Sequence, residues 1–94
     1  MATTFTHEPD ARRYVMWIDD ELVAVVDYAI NGERISFTRT FTSPRFRGNG
    51  YASQVVEFAV DDVERFSTRS IVPMCWYVSD WFAAHDDRAG LLSR

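Results

Sequence analysis

The hydrophobic pattern of this chain changes its period once, in a glycine-containing segment that follows Pro44. Before that segment apolar and polar residues alternate, as in Arg34–Thr42, and a period of two predicts β-strands. After it, from Tyr51 to Phe66, apolar residues recur every three or four positions, which predicts an amphipathic α-helix. A chain of 94 residues can bury one hydrophobic core. We therefore expect a single α/β domain over residues 1–94.

Three strands are predicted before the loop, joined as an antiparallel meander. Arg13–Ile18 and Leu22–Ile30 contain many aromatic and β-branched residues, which favour strands. Asn31-Gly32 lies between two apolar runs, and both residues accept the positive φ of a type I′ turn. A hairpin should therefore join the second strand to Arg34–Thr42. Residues 1–10 are expected to form a flexible N-terminus.

One more strand and one more helix are predicted after the first helix. Ser70–Val78 is an apolar run of strand length, in which Pro73 favours a bulge or an edge position because it has no N–H to donate. Ser79 can cap a short helix that ends near Asp87. The order is β-β-β-loop-α-β-α, and strands joined through a helix should run parallel. The fold class is thus α/β, an antiparallel meander with one parallel crossover strand.

The composition excludes several kinds of chemistry. All ten basic residues are arginine, so the Schiff-base, pyridoxal-phosphate and P-loop sites that need a lysine amine are excluded. Cys75 is the single cysteine, and His7 and His85 are far apart in sequence, so neither a disulfide nor a metal centre is expected. No apolar run approaches the roughly 20 residues of a membrane helix, and residues 1–10 lack the apolar segment of a signal peptide. We expect no membrane partner and a cytoplasmic protein.

The charge is distributed unevenly. Arg34–Val56 contains four arginines and no acid, so this window carries +4 of a net charge of −4 and the other residues carry −8. Gly48 and Gly50 lie in the window just before the helix, where free N–H groups and the helix dipole can bind phosphate. The dinucleotide fingerprint Gly-x-Gly-x-x-Gly fits badly, because Ser53 stands at its third glycine. A local anion site is favoured, and an ordinary loop with two glycines is the alternative.

This loop resembles motif A of the GNAT acetyltransferases, Gln/Arg-x-x-Gly-x-Gly/Ala, which lies between a strand and a helix. The chain is also similar, over about residues 12–92, to a family of small GNAT-like N-acetyltransferase domains. The similarity rests on Arg47-Gly48-Asn49-Gly50-Tyr51-Ala52, Ser43-Pro44, Val60-Asp61-Asp62-Val63, Val72-Pro73-x-Cys75 and His85. It implies a truncated GNAT fold that lacks the usual N-terminal helices and the last two strands.

The resemblance implies that acetyl-CoA binds and that its acetyl group is transferred to an amine. The backbone amides of motif A bind the pyrophosphate in that family, and the pantetheine arm would bind the main chain around the end of the third strand. The implied cofactor-binding residues are Phe41, Thr42, Arg47, Gly48, Asn49, Gly50, Tyr51 and Ala52. Cys75 would lie near the thioester, where it would act as a catalytic nucleophile or serve only as a small apolar group of the core.

Two polar groups of the family have no obvious equivalent here. GNAT enzymes often take a general acid from a tyrosine in the helix after the parallel strand, where this chain has Trp81 and Phe82. Tyr77 is the nearest phenol and precedes the predicted helix. Arg39-Thr40-Phe41 stands where the small family tends to have a His-Thr-Glu-like stretch, and His85 near a helix end is more typical of a capping residue. A non-catalytic module that binds or senses CoA is therefore the alternative function.

The expected partners are acetyl-CoA and an amine. Only Ala89–Arg94 follows the last predicted helix, so the acceptor side should be open, or completed by a second copy in a homodimer. An open site suits an exposed amine on a basic protein or peptide, which the acidic surface would attract. Nucleic acid is not expected, because the −8 outside the basic window would repel a phosphate backbone.

Overall fold

The computed structural model describes residues 2–94, which form one five-stranded sheet and two α-helices. The elements are β1 (Thr3–Glu8), β2 (Arg13–Ile18), β3 (Glu21–Asn31), β4 (Arg34–Thr42), α1 (Tyr51–Phe66), β5 (Ser70–Pro73) and α2 (Trp76–Ala83). Short 3₁₀ helices occupy Pro9–Ala11, Pro44–Phe46 and Asp86–Leu92. Within residues 2–94, neither helix combines the length and apolar character that crossing a membrane requires.

The sheet has its strands in sequence order, β1-β2-β3-β4-β5. The first four strands are antiparallel, and β5 returns through α1 to pair parallel with β4. The predicted α/β class, meander and parallel crossover strand are therefore confirmed. Pro73 is the last residue of β5 and lies at the sheet edge, as its missing N–H predicts.

The core lies between α1 and the sheet. The helix has the predicted bounds, and one face of it is buried against β2, β3 and β4. The buried residues of this helix are Val55, Val56, Ala59, Val60 and Val63. Tyr14 and Phe37 are the largest fully buried side chains on the sheet. Each fully buried Val or Phe side chain stabilises the fold by roughly 1.5–3 kcal/mol, so this layer fixes where α1 begins relative to the strands.

The N-terminal residues form a strand, so the expected flexible N-terminus is wrong for Thr3–Glu8. This strand pairs with β2 along its whole length. Phe5 stacks on Phe58 of α1 with 5.3 Å between ring centroids, and Trp17 Nε1 donates a hydrogen bond to Thr6 Oγ1 at 2.8 Å. Pairing with a neighbouring strand and these cross-element contacts order a segment whose own sequence shows little apolar pattern.

The boundary between the last strand and the second helix also differs from the prediction. β5 ends at Pro73, and α2 begins at Trp76 with Cys75, not Ser79, as its N-cap residue. The Cys75 N–H donates to the carbonyl oxygen of Phe37 at 3.0 Å, which is the last hydrogen bond between the backbones of this segment and β4. Because proline ends the ladder, the chain turns five residues earlier than its apolar run suggests.

A polar cluster fastens β1, β2 and β3 to the C-terminal half of α1. Tyr14 Oη donates a hydrogen bond to Asp62 Oδ2 at 2.7 Å, and His7 Nε2 lies 2.7 Å from Tyr28 Oη. His7 Nδ1 is 3.5 Å from the same oxygen of Asp62. Burial raises the pKa of Tyr14, and the bond to Asp62 raises it further, so the phenol stays protonated. These polar groups satisfy one another and leave the opposite end of α1 free for a site.

Candidate functional site

The loop before α1 leaves the first turn of the helix accessible. Gly48 (φ 85°) and Gly50 (φ 77°) adopt left-handed backbone conformations, and a Cβ atom at either position would have no atom within 4 Å. Gly50 is the N-cap, no side chain caps the helix, and the first helical hydrogen bond runs from Gln54 N–H to Gly50 O. The N–H groups of residues 51–53 precede that bond. This geometry can hold an anionic group against the backbone.

Two side chains of the predicted cofactor loop hold its shape. Arg47 Nε donates to the carbonyl oxygen of Thr42 at 3.1 Å, and Asn49 Nδ2 donates to that of Phe46 at 3.0 Å. The Phe46 ring meets the Tyr51 ring edge-on at 6.3 Å. Ala52 follows in the first helical turn. These contacts hold the loop on both sides, and the backbone of Gly48 and Gly50 is exposed between them.

Ion pairs with acidic residues elsewhere in the fold partly neutralise the basic window, Arg34–Val56. Arg39 forms an ion pair with Asp27 at 3.1 Å, and Arg45 forms one with Glu21 at 2.6 Å. Both acids come from β3, which is far away in the sequence and adjacent in the sheet. Arg47 forms no ion pair within residues 2–94, so it is the arginine nearest the glycines that keeps its charge available.

An open strand edge leads away from this loop. β5 pairs with β4 only over Arg34–Phe37, so the rest of β4 has a strand neighbour on one side only. Ser43 N–H donates to Val23 O at 2.8 Å, and Phe41 lies opposite Val25 in the same ladder. Backbone groups alternate along an antiparallel strand, so those of Thr42 and Thr40 face the open edge while those of Phe41 face β3. Of the two predicted strand residues, Thr42 presents its main chain to this edge.

Cys75 lies at the far end of that edge. Its Sγ is 3.3 Å from Thr40 Oγ1, and the residue is half-buried at the start of α2. Burial raises the pKa of the Cys75 thiol, but the Thr40 hydroxyl and the backbone N–H groups of Tyr77, Val78 and Thr40 together outweigh it. The net pKa is therefore below its usual value. A thiol of this kind is more readily ionised than an ordinary core cysteine.

Tyr77 lies inside the second helix, not before it. It occupies the first turn of α2, and Ser53 lies near it in the first turn of α1. Burial raises the pKa of Tyr77, and the neighbouring Ser53 side chain lowers it by less. A protonated phenol thus lies between the two helix N-termini that border the loop and the thiol.

The remaining residues singled out in the sequence have structural roles. Trp81 and Phe82 are buried in the core with 5% and 4% exposure. His85 Nδ1 donates to the carbonyl oxygen of Trp81 at 2.6 Å, and its ring stacks on the Trp81 ring at 3.9 Å. The predicted capping role of His85 is confirmed, since that carbonyl belongs to the last turn of α2.

A sequence profile of the GCN5-related N-acetyl-transferase family matches residues 13–91. The chain belongs to this family. Members transfer an acyl group to an amine, and the matched range contains the glycine loop, Thr40, Cys75 and Tyr77. β1 precedes the range. A comparison with curated proteins gave no significant match.

Sequence reasoning missed Thr40, Ser53 and the placement of Tyr77. Thr40 comes close to Cys75 because β4 and β5 diverge beyond the Phe37–Pro73 pair, and no local pattern in the sequence reports that divergence. The contact of Ser53 with Tyr77 depends on how α1 and α2 meet in space. No spacing along the chain reports that contact.

Proposed function

We propose that this chain is an N-acetyltransferase that binds acetyl-CoA along the loop Arg47–Ala52 and the open edge of β4, and delivers the acetyl group beside Cys75. The observation that carries the proposal is the continuous path from the uncapped start of α1, along Thr42 and Thr40, to the thiol. The family membership supports the reaction class.

The residues along this path suit the parts of acetyl-CoA in order. The N–H groups that open α1 suit the pyrophosphate, because they and the helix dipole favour anions. The Thr42 N–H and the Thr40 carbonyl oxygen can bond to the amides of an extended pantetheine arm, as a further strand would. The Thr42 carbonyl already accepts from Arg47, and the Thr40 N–H interacts with Cys75. Arg47 adds a positive charge beside the loop.

Cys75 and Tyr77 suit the transfer step. In a relay, Cys75 Sγ forms a bond to the thioester carbonyl carbon while the bond from that carbon to the CoA sulfur breaks. The CoA thiolate then takes up a proton, for which we assign the protonated phenol of Tyr77 in the first turn of α2 as the donor. A neutral amine attacks the acetyl-cysteine, the cysteine thiolate leaves, and the proton that the amine nitrogen loses returns to the Tyr77 phenolate. In direct transfer the amine attacks the CoA thioester itself, and Cys75 only lines the site.

Turnover and mass spectrometry test this function together. Release of CoA thiol from acetyl-CoA with a panel of amines should exceed the rate without amine, and the relay requires one acetyl group on Cys75 in the protein incubated without acceptor. The Cys75→Ala variant should lose that adduct and most of its turnover. Full turnover in this variant would establish direct transfer. Tight binding of acetyl-CoA without any turnover would instead establish the non-catalytic module.

A further inference from the structure

The exposed face of α2 next to the thiol carries an aromatic ring and an unpaired acid. Trp76, Ser79, Asp80 and Ala83 are the exposed residues of this helix, while Val78, Trp81 and Phe82 point into the core. Trp76 directly follows Cys75 and is 73% exposed, which is unusual for the largest apolar side chain. Asp80 lies four residues further on, so both side chains lie on the same side of the helix.

The residues around this face carry negative charges and no positive ones. Residues 70–87 contain three aspartates and no arginine, and Asp80 forms no ion pair within residues 2–94. The rings of Trp76 and Tyr77 form a T-shaped pair with 5.8 Å between centroids, and most of the indole remains exposed. An exposed indole and a free carboxylate one turn apart are both groups that attract a cation.

We infer that Trp76 and Asp80 recognise the acceptor, and that the acceptor is a lysine-rich polypeptide segment; this inference rests on the proposed acetyl transfer. The attacking amine must be neutral, so the two residues bind the positively charged side chains that flank it. The face is a convex helix surface rather than a concave pocket, which suits a polypeptide better than a small amine. The anionic acetyl-CoA then binds at the basic loop before α1, and the cationic polypeptide binds at the acidic face of α2.

Steady-state kinetics with paired variants test the assignment. Asp80→Asn should raise KM for a lysine-rich peptide about three- to fivefold at low salt, and Trp76→Leu should do the same, since exposed ion pairs and cation–π contacts are each worth up to about 1 kcal/mol. Trp76→Tyr keeps an aromatic face and should retain most of the affinity. Asp86→Asn changes the net charge equally but lies outside α2, so it should leave KM within a factor of two.

Two control measurements separate the inference from the proposed function. Calorimetric titration with acetyl-CoA should give the same affinity in all four variants, and NMR titration of the acetyl-CoA-free protein should show the peptide shifting resonances of α2. Equal KM and equal peptide affinity in Trp76→Leu, Asp80→Asn and the unmodified protein would overturn the inference even where amines are acetylated. So would a dimer, detected by sedimentation, that Trp76→Leu dissociates, because the face would then bind a second copy.

Discussion

The reactivity of the thiol depends on one hydroxyl of a neighbouring strand. Cys75 is half-buried, and burial by itself would raise its pKa and make it inert. Thr40 Oγ1 at 3.3 Å and three backbone N–H groups reverse the direction of the shift. Thr40 belongs to the part of β4 that β5 leaves unpaired. The strand edge proposed to bind the pantetheine arm therefore also lowers the pKa of the Cys75 thiol.

Thr40→Val should therefore raise the pKa of Cys75. Valine keeps the shape of threonine but cannot donate to the sulfur, so the thiolate loses part of its stabilisation. The rate of alkylation by iodoacetamide should reach half its maximum at a higher pH than in the unmodified protein. Thr38→Val is the matched control, because the Thr38 hydroxyl contacts Asp27 O instead. An identical midpoint in all three proteins would show that the hydroxyl does not influence the thiol.

At the scale of elements, the last residue of the chain closes the C-terminal end of α1. The Arg94 guanidinium donates to the carbonyl oxygens of Val63, Ser67 and Arg69 at 2.5–3.0 Å. These groups lie in the last turn of α1 and just beyond it. The Val63 carbonyl oxygen also accepts the N–H of Ser67 at 3.0 Å, so Arg94 reinforces the end of the helix. One side chain thus joins the 3₁₀ segment Asp86–Leu92 to the helix and to the approach to β5.

Arg94→Ala should lower the free energy of unfolding by about 1 kcal/mol, since the bonds are partly exposed to water. For a domain of this size such a loss corresponds to a fall in Tm of about 4–8 °C. Arg65→Ala is the control, because Arg65 is exposed and has no hydrogen-bond or ion-pair partner within residues 2–94. If thermal unfolding places both variants within 1 °C of the unmodified protein, the Arg94 bonds contribute nothing.

The elements that follow from a local sequence pattern could be predicted. Those that depend on contacts between residues far apart in the sequence could not. The period of Tyr51–Phe66 gave the helix its correct bounds, and the turn at Asn31-Gly32 joins β3 to β4 as expected. β1 is ordered by pairing with β2, and α2 begins early because a hydrogen bond to Phe37 ends the sheet. The glycine loop was visible as a motif. The role of Thr40 depends on strand divergence, which has no local signal.

At the scale of the whole molecule, the fold places two helix N-termini near one strand edge. α1 begins beside the end of β4, α2 begins beside its middle, and Tyr77 of α2 lies near Ser53 of α1. The edge is open because β5 ends at Pro73 and pairs with β4 only over Arg34–Phe37. The account depends most on the claim that the start of α1 binds acetyl-CoA.

Calorimetric titration of acetyl-CoA into Gly50→Val and Gly32→Val tests that claim most directly. Both glycines have positive φ and open space around them, so valine costs a similar backbone strain of about 1–2 kcal/mol in each. Gly32 lies in the turn between β3 and β4, away from the loop. We predict that Gly50→Val loses at least tenfold in affinity, because its side chain fills the space where phosphate would meet the backbone, whereas Gly32→Val binds like the unmodified protein. Equal affinity in the two variants would contradict the account.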